Sequence, residues 1–225
     1  MIQDYEDKRI KGMKLSQLKT LVRNGEGDFI EFKLKPNHPE KIMKELVAFA
    51  NTNGGQLLVG VDDDSTLRGL TFADEDEYVL IREIQTSIRP ELNYTIERVK
   101  LENGKEIIIF TIKEHLNKPL YVISKEDASV QKAYVRVKDM SIQASKEQRE
   151  IWKGQRKAKN LRFAFGEKEK ALMTYLATNK YITVSKFAEI AQIPPKTASR
   201  TLVLLTLTNV LIFKPHEMED HFVAA

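Results

Sequence analysis

Cysteine is absent from all 225 residues, which excludes disulfides, thiolate metal sites and a cysteine nucleophile. Histidine is scarce as well: His38, His115, His216 and His221 are the four, with no H-x-x-x-H spacing, so structural zinc is not expected. No apolar run approaches the roughly 18 residues that a membrane helix requires, and the opening MIQDYEDKRIKG lacks the apolar stretch of a signal peptide. A cytoplasmic protein without a membrane partner is the expectation. A strong charge bias is also missing, because a net charge of +4 and a pI near 9.0 permit a polyanionic partner without demanding one. No internal repeat or low-complexity tract appears.

What is present is an ordinary globular composition, 42% hydrophobic and 30% charged, in a chain long enough for one large or two small domains. "KLSQLKTLVRNGEG" spaces Leu15, Leu18, Leu21 and Val22 as a short helix ended by Gly25 and Gly27. "FIEFKLK" alternates as a strand, with Ile30 and Phe32 on one face and Glu31 and Lys33 on the other. Pro39 then opens a helix carrying Ile42, Met43, Leu46, Val47 and Phe49 on one stripe, and Gly54 and Gly55 lie past its end. "QLLVGVD" is apolar on both faces, as in a central strand. An amphipathic helix follows from about Asp74 to Ile88, before Pro90. The runs "YTIERVKL" and "KEIIIFTIK" flank Glu-Asn-Gly, a hairpin signal. The order is β-α-β-α-β-β, with an added strand at "KAYVRVKD" and a basic helix from about Ser145 to Lys159.

From Gly166 onward the pattern changes to three helices and a terminal strand "VLIF". That outline is a winged helix-turn-helix, with Pro194 and Pro195 in the turn and residues 196 to 208 as the recognition helix. The expected division is therefore residues 1–160 and 161–225, with the boundary near Asn160 to Gly166.

Two familiar ligand loops fail on inspection. Gly55 and Gly60 have Walker spacing, but Val61 and Asp62 stand where Lys and Ser or Thr are needed, and no Walker-type ATP site is expected. Asp62, Asp63 and Asp64 could start a calcium loop, yet Leu67 replaces its glycine and Ala73 its glutamate. A helix C-cap and a solvated turn account for the same residues.

Taken together, the motifs carry more. Glu26-x-x-x-x-Glu31-Phe32-Lys33, Ala48-Phe49-Ala50-Asn51-Thr52-x-Gly54-Gly55, Gly60-Val61-x-Asp63 and Gly69-Leu70 occur in order, and "AYVRVKDMSIQAS" follows. This series resembles the Schlafen-type AlbA-like domain of bacterial DNA-binding proteins and vertebrate Schlafens, over roughly residues 15 to 145. The resemblance implies an α+β fold and two competing functions. Bacterial members, often with an attached winged helix, are commonly described as transcriptional regulators; a divergent-AAA description is not supported without a Walker loop. Vertebrate relatives include RNA-cleaving enzymes whose acidic triad would fall on Glu26, Glu31 and Asp63, where three carboxylates could hold Mg2+ or Mn2+ and activate water. Those enzymes are similar to a pair of such domains, so this single copy would need a homodimer.

Residue chemistry leaves the alternatives open. Lys33 and Arg136 either contact phosphate or neutralise Glu31. The helix "SKEQREIWKGQRKAKNLR" places Lys153 and Arg156 on one flank, as a DNA or RNA contact or as a solvated connector. Lys196, Thr197, Ser199 and Arg200 begin the recognition helix, where side chains reach bases and phosphates. The expectation is a DNA-binding transcriptional regulator, dimeric. A metal-dependent endoribonuclease and a protein-interaction adaptor are the alternatives.

Overall fold

A computed structural model of the chain describes residues 8–157 and 164–225. It divides into two compact units, Met1–Gln143 and Ala144–Ala225. The boundary expected at residue 160 lies outside the described residues, and the helix before it groups with the second unit.

The first unit is built on one mixed sheet. In chain order it contains α1 (Leu15–Val22), β1 (Ile30–Lys33), α2 (Pro39–Asn51), β2 (Gly55–Val59), α3 (Ala73–Ser87), β3 (Ile88–Arg89), β4 (Tyr94–Lys100) and β5 (Glu106–Ile112). Four short strands complete it: β6 (Tyr121–Ile123), β7 (Gln131–Lys132), β8 (Tyr134–Val137) and β9 (Met140–Gln143). The main sheet has the order β1-β2-β5-β4, with β1 and β2 parallel and the other pairs antiparallel. Parallel pairing of β1 and β2 requires the crossover that α2 supplies.

Both faces of β2 and β5 are covered, as their unbroken apolar runs predict. Leu57, Ile108 and Phe110 join Leu46, Phe49, Leu80 and Ile84 from α2 and α3 in one core. On the opposite face Leu58, Ile107 and Ile109 join Phe32 and, from α1, Leu18 and Val22. Alternate residues of one strand thus serve two cores, and each fully buried Leu, Ile or Phe contributes about 1.5–3 kcal/mol. The hairpin β4–β5 turns at Gly104, whose φ of +81 is the left-handed geometry that the Asn-Gly signal requires.

The second unit contains α4 (Lys146–Lys157), α5 (Glu167–Leu176), α6 (Val184–Ile190), α7 (Pro195–Leu207), β10 (Leu211–Lys214) and β11 (His221–Ala224). Its core gathers Ile151 of α4, Leu172 of α5, Phe187 of α6, Ala198 and Leu202 of α7, and Leu211 and Phe222 of the strands. Thr183 caps α6 by accepting the Lys186 amide, and Pro195 occupies the first position of α7, where its missing N–H costs nothing. Strands β10 and β11 pair antiparallel, and Ile182 bridges to Phe222 beside them.

Candidate functional site

The strand-end charges converge on one side chain. Arg136 of β8 is 3% exposed, and its guanidinium spans two carboxylates, donating from Nη2 to Glu31 Oε2 at 2.8 Å and from Nη1 to Glu45 Oε2 at 3.0 Å. Its remaining donors reach the Gly27 carbonyl at 3.0 Å, the Ile30 carbonyl at 3.2 Å and Ser141 Oγ at 3.2 Å, and its group lies 5.0 Å over the Phe49 ring. A planar fork of five donors suits this arrangement as a lysine could not.

Strand alternation puts Glu31 and Lys33 on the face opposite Ile30 and Phe32; that face is closed, and Glu31 is 6% exposed where α2 and β8 cover it and Arg136 neutralises the acid. Of the two readings open for Arg136, phosphate contact and neutralisation of Glu31, the geometry is that of the second, since its donors are engaged inside the chain. Lys33, with its side chain 32% exposed, donates to Glu31 Oε1 and to the Phe32 carbonyl, so it also neutralises its neighbour. Sequence reasoning missed Glu45, although a signal existed. Glu45 lies three residues after Ile42 and four before Phe49, which places it on the core stripe of α2 and demands a buried cation.

The fit of this cluster to a divalent ion is poor. Glu31 has one oxygen on Lys33 and the other on Arg136, and Glu26 Oε1 accepts the Phe32 amide at 2.7 Å. Asp63 is exposed in a turn in which Asp64 accepts the Thr66 amide at 2.8 Å. Among the described residues no three His, Cys, Asp or Glu side chains stand close enough to hold a metal ion.

Glu26, Glu31 and Asp63 are nevertheless electrostatic neighbours. Burial of the Glu26 carboxyl pushes its pKa up, and Glu31 and Asp63 add to the rise while the Phe32 amide and Lys33 oppose it. A carboxyl with a raised folded pKa binds its proton more tightly in the native chain. Its contribution is therefore complete at acid pH and is lost as pH rises through the folded value. Stability of a Glu26→Gln variant should fall less than that of the native chain over this interval, a difference that urea titrations at stepped pH would measure. Equal slopes for the two proteins would contradict the shift.

The Asn51-Thr52-Asn53-Gly54-Gly55 turn is framework. Asn51 is 2% exposed; its Nδ2 donates to the carbonyls of Leu120 at 2.9 Å and Tyr134 at 3.0 Å, and its Oδ1 accepts the Leu120 amide at 2.7 Å. Thr52 Oγ1 donates to the Ala48 carbonyl and accepts the Arg136 amide at 2.9 Å. Gly54 has φ +76, and a Cβ on Gly55 would meet the Phe49 ring at 2.3 Å. Asn51, Thr52, Gly54 and Gly55 thus each have a packing reason for their identity, whereas Asn53 is exposed.

The other candidate cations lie in the second unit. Lys153 and Arg156 of α4 are exposed, as are Lys196 and Arg200 of α7, with Thr197 half-buried. Ser199 departs from expectation: it is 3% exposed and donates to Glu147 Oε1 at 2.5 Å, so it pins α7 to α4 and does not face outward. Helix α7 carries Lys196 and Arg200 and no acidic residue at all. No helix among the described residues is long and apolar enough to cross a membrane.

A family model described as Schlafen, AlbA_2 matches residues 26–145. Similar solved structures include the solution structure of the N-terminal domain of an ATP-dependent DNA helicase RecG-related protein from Nitrosomonas europaea, 23% identical with a TM-score of 0.43. That match covers 56% of this chain and 89% of that one. A crystal structure of a Corynebacterium diphtheriae protein is 18% identical with a TM-score of 0.42, covering 72% of this chain and 36% of that one. At these scores neither likeness bears on function. No curated protein matches the sequence.

Proposed function

The chain belongs to the Schlafen AlbA_2 family, and from that premise we propose that it is a nucleic-acid-binding protein, a DNA-binding transcriptional regulator whose second unit is a winged helix-turn-helix. Helix α7 supports this reading most directly. Its first turns expose Lys196 and Arg200, with Thr197 half-buried beside them, on a helix without acids, while Ala198, Leu202 and Leu205 anchor the opposite side in the core. The order α6, turn, α7, hairpin is that of a recognition helix followed by a wing, and a bridge from Ile182 to Phe222 ties the segment before α6 to the hairpin. Lys153 and Arg156 on α4 serve as further phosphate contacts. A homodimer would present two such helices to a pair of half-sites.

The first unit enters this reading as a rigid body and not as a cleavage centre. Of its acids, Glu31 is occupied by Lys33 and Arg136 and Glu26 accepts the Phe32 amide, which favours binding over metal-assisted hydrolysis. Engagement of α7 is tested by fluorescence anisotropy on duplex DNA across a salt series. Substituting Lys196→Ala and Arg200→Ala together should weaken binding about tenfold or more and reduce the salt slope by roughly 2, about one unit for each lost phosphate contact. An unchanged slope would remove α7 from the interface. No binding to DNA or RNA at any salt concentration would favour an adaptor.

A further inference from the structure

A second feature, independent of the nucleic-acid reading, lies in the first unit. A cleft of about 450 Å3 opens between α3 and the β6–β7 sheet, with Tyr134 at its wall. Glu83 of α3 lines it and is 6% exposed, although neither the charge cluster nor the proposed interface uses this carboxylate. One of its oxygens is satisfied from within: Ser87 Oγ donates to Oε1 at 2.5 Å, one helical turn away. The other, Oε2, takes Lys125 Nζ at 2.6 Å. Lys125 is no core residue; its side chain is 61% exposed and comes from the connection between β6 and β7.

We propose that this cleft binds a small primary amine with an apolar body, whose ammonium takes the place of Lys125 Nζ on Glu83 Oε2.

The chemistry of the exchange is balanced. A buried carboxylate needs a cationic partner, and breaking such a pair without replacement is costly. An incoming ammonium restores both the charge and the hydrogen bond, so Glu83 never stands alone. Lys125 meanwhile returns to water and regains rotamer freedom. The cleft offers Oε2 as a single acceptor, which suits the compact head of a primary amine better than a guanidinium fork that seeks two. Val122, Val130 and the ring of Tyr134 supply an apolar wall, and Val130 is 42% exposed, so a ligand body would cover surface now open to water. Glu40 and Glu126, also on the lining, outnumber the one further cation there, Lys132, and oppose an anionic ligand.

Lys125 therefore acts as a built-in competitor, and this gives the proposal its test. The probe is 2-phenylethylamine, titrated into the full chain and followed by amide chemical shifts, with 2-phenylethanol as the same body lacking the charge. Saturable shifts around Glu83 and Tyr134 are expected with the amine alone. Removing the competitor by Lys125→Ala should tighten binding about tenfold, and Glu83→Gln should weaken it by a similar factor. A purely structural Lys125–Glu83 pair would give no tightening. The proposal is overturned if Lys125→Ala binds no better than the native chain, if the alcohol binds as well as the amine, or if neither protein shows saturation. The surface variant Lys125→Ala decides the matter even if Glu83→Gln fails to fold.

Discussion

An Arg136→Ala variant is expected to lose about 3–5 kcal/mol of stability in the first unit, the cost of stripping a buried charge pair of one partner. Glu31 would keep only the partly exposed Lys33 and Glu45 only Lys44, the cation that bridges the two acids would be gone, and the carbonyls of Gly27 and Ile30 would each lose the donor that Arg136 supplies. The turn into β1 would lose its tie to β8 at the same time. Arg136→Lys keeps the charge but cannot span two acids and two carbonyls, so it should recover only part of the loss. Urea unfolding followed through first-unit amide resonances would measure both. A loss below about 1 kcal/mol for Arg136→Ala, the level of a surface pair, would show that the interior ion cluster does not hold the unit together.

The second large effect is expected at Asn51. Substitution by alanine would take away the acceptor of the Leu120 amide and a donor from each of two carbonyls, those of Leu120 and Tyr134. Leaving a buried polar group unsatisfied costs about 1–3 kcal/mol, and partial relaxation or entry of water should hold the total near 3 kcal/mol. Asn53 is the internal control, since it is the same residue type two positions on and is exposed. Asn53→Ala should change stability by less than about 0.5 kcal/mol. Comparable losses for the two variants would contradict the bracketing role of Asn51.

Much of the framework was legible in the sequence because its signals are local. Pro39 at a helix start, glycines past its end and a doubly apolar "QLLVGV" describe the β1-α2-β2 crossover within about thirty residues of chain. The Asn-Gly turn described the β4–β5 hairpin. What stayed hidden was long-range. Strands β3, β6 and β9 span two to four residues each, too short for a period to show, and β3 finds its partner β6 only through the fold. Arg136 meets Glu31 across 105 positions and Glu45 across 91, so nothing near "YVRVK" marks the arginine as buried. Asn51 similarly reaches 69 positions to Leu120. Strand alternation placed Glu31 beside Lys33 correctly, but it could not tell that α2 and β8 would cover that face. The exposed cations of α7 were readable, whereas the inward turn of Ser199 depends on Glu147 from α4.

The central proposal is that this chain binds nucleic acid through the second unit and leaves it intact, with Glu31 and Glu45 held as structure by Arg136. The most direct measurement is a gel assay of the native protein on labelled DNA and RNA, in manganese and in EDTA, beside the Lys196→Ala, Arg200→Ala double variant and an Asp63→Asn variant. The account predicts a shifted, uncut species with the native and Asp63→Asn proteins in both buffers, and a much weaker shift with the double variant. Fragments that need manganese and vanish with Asp63→Asn would contradict it and return the acidic residues to a catalytic role.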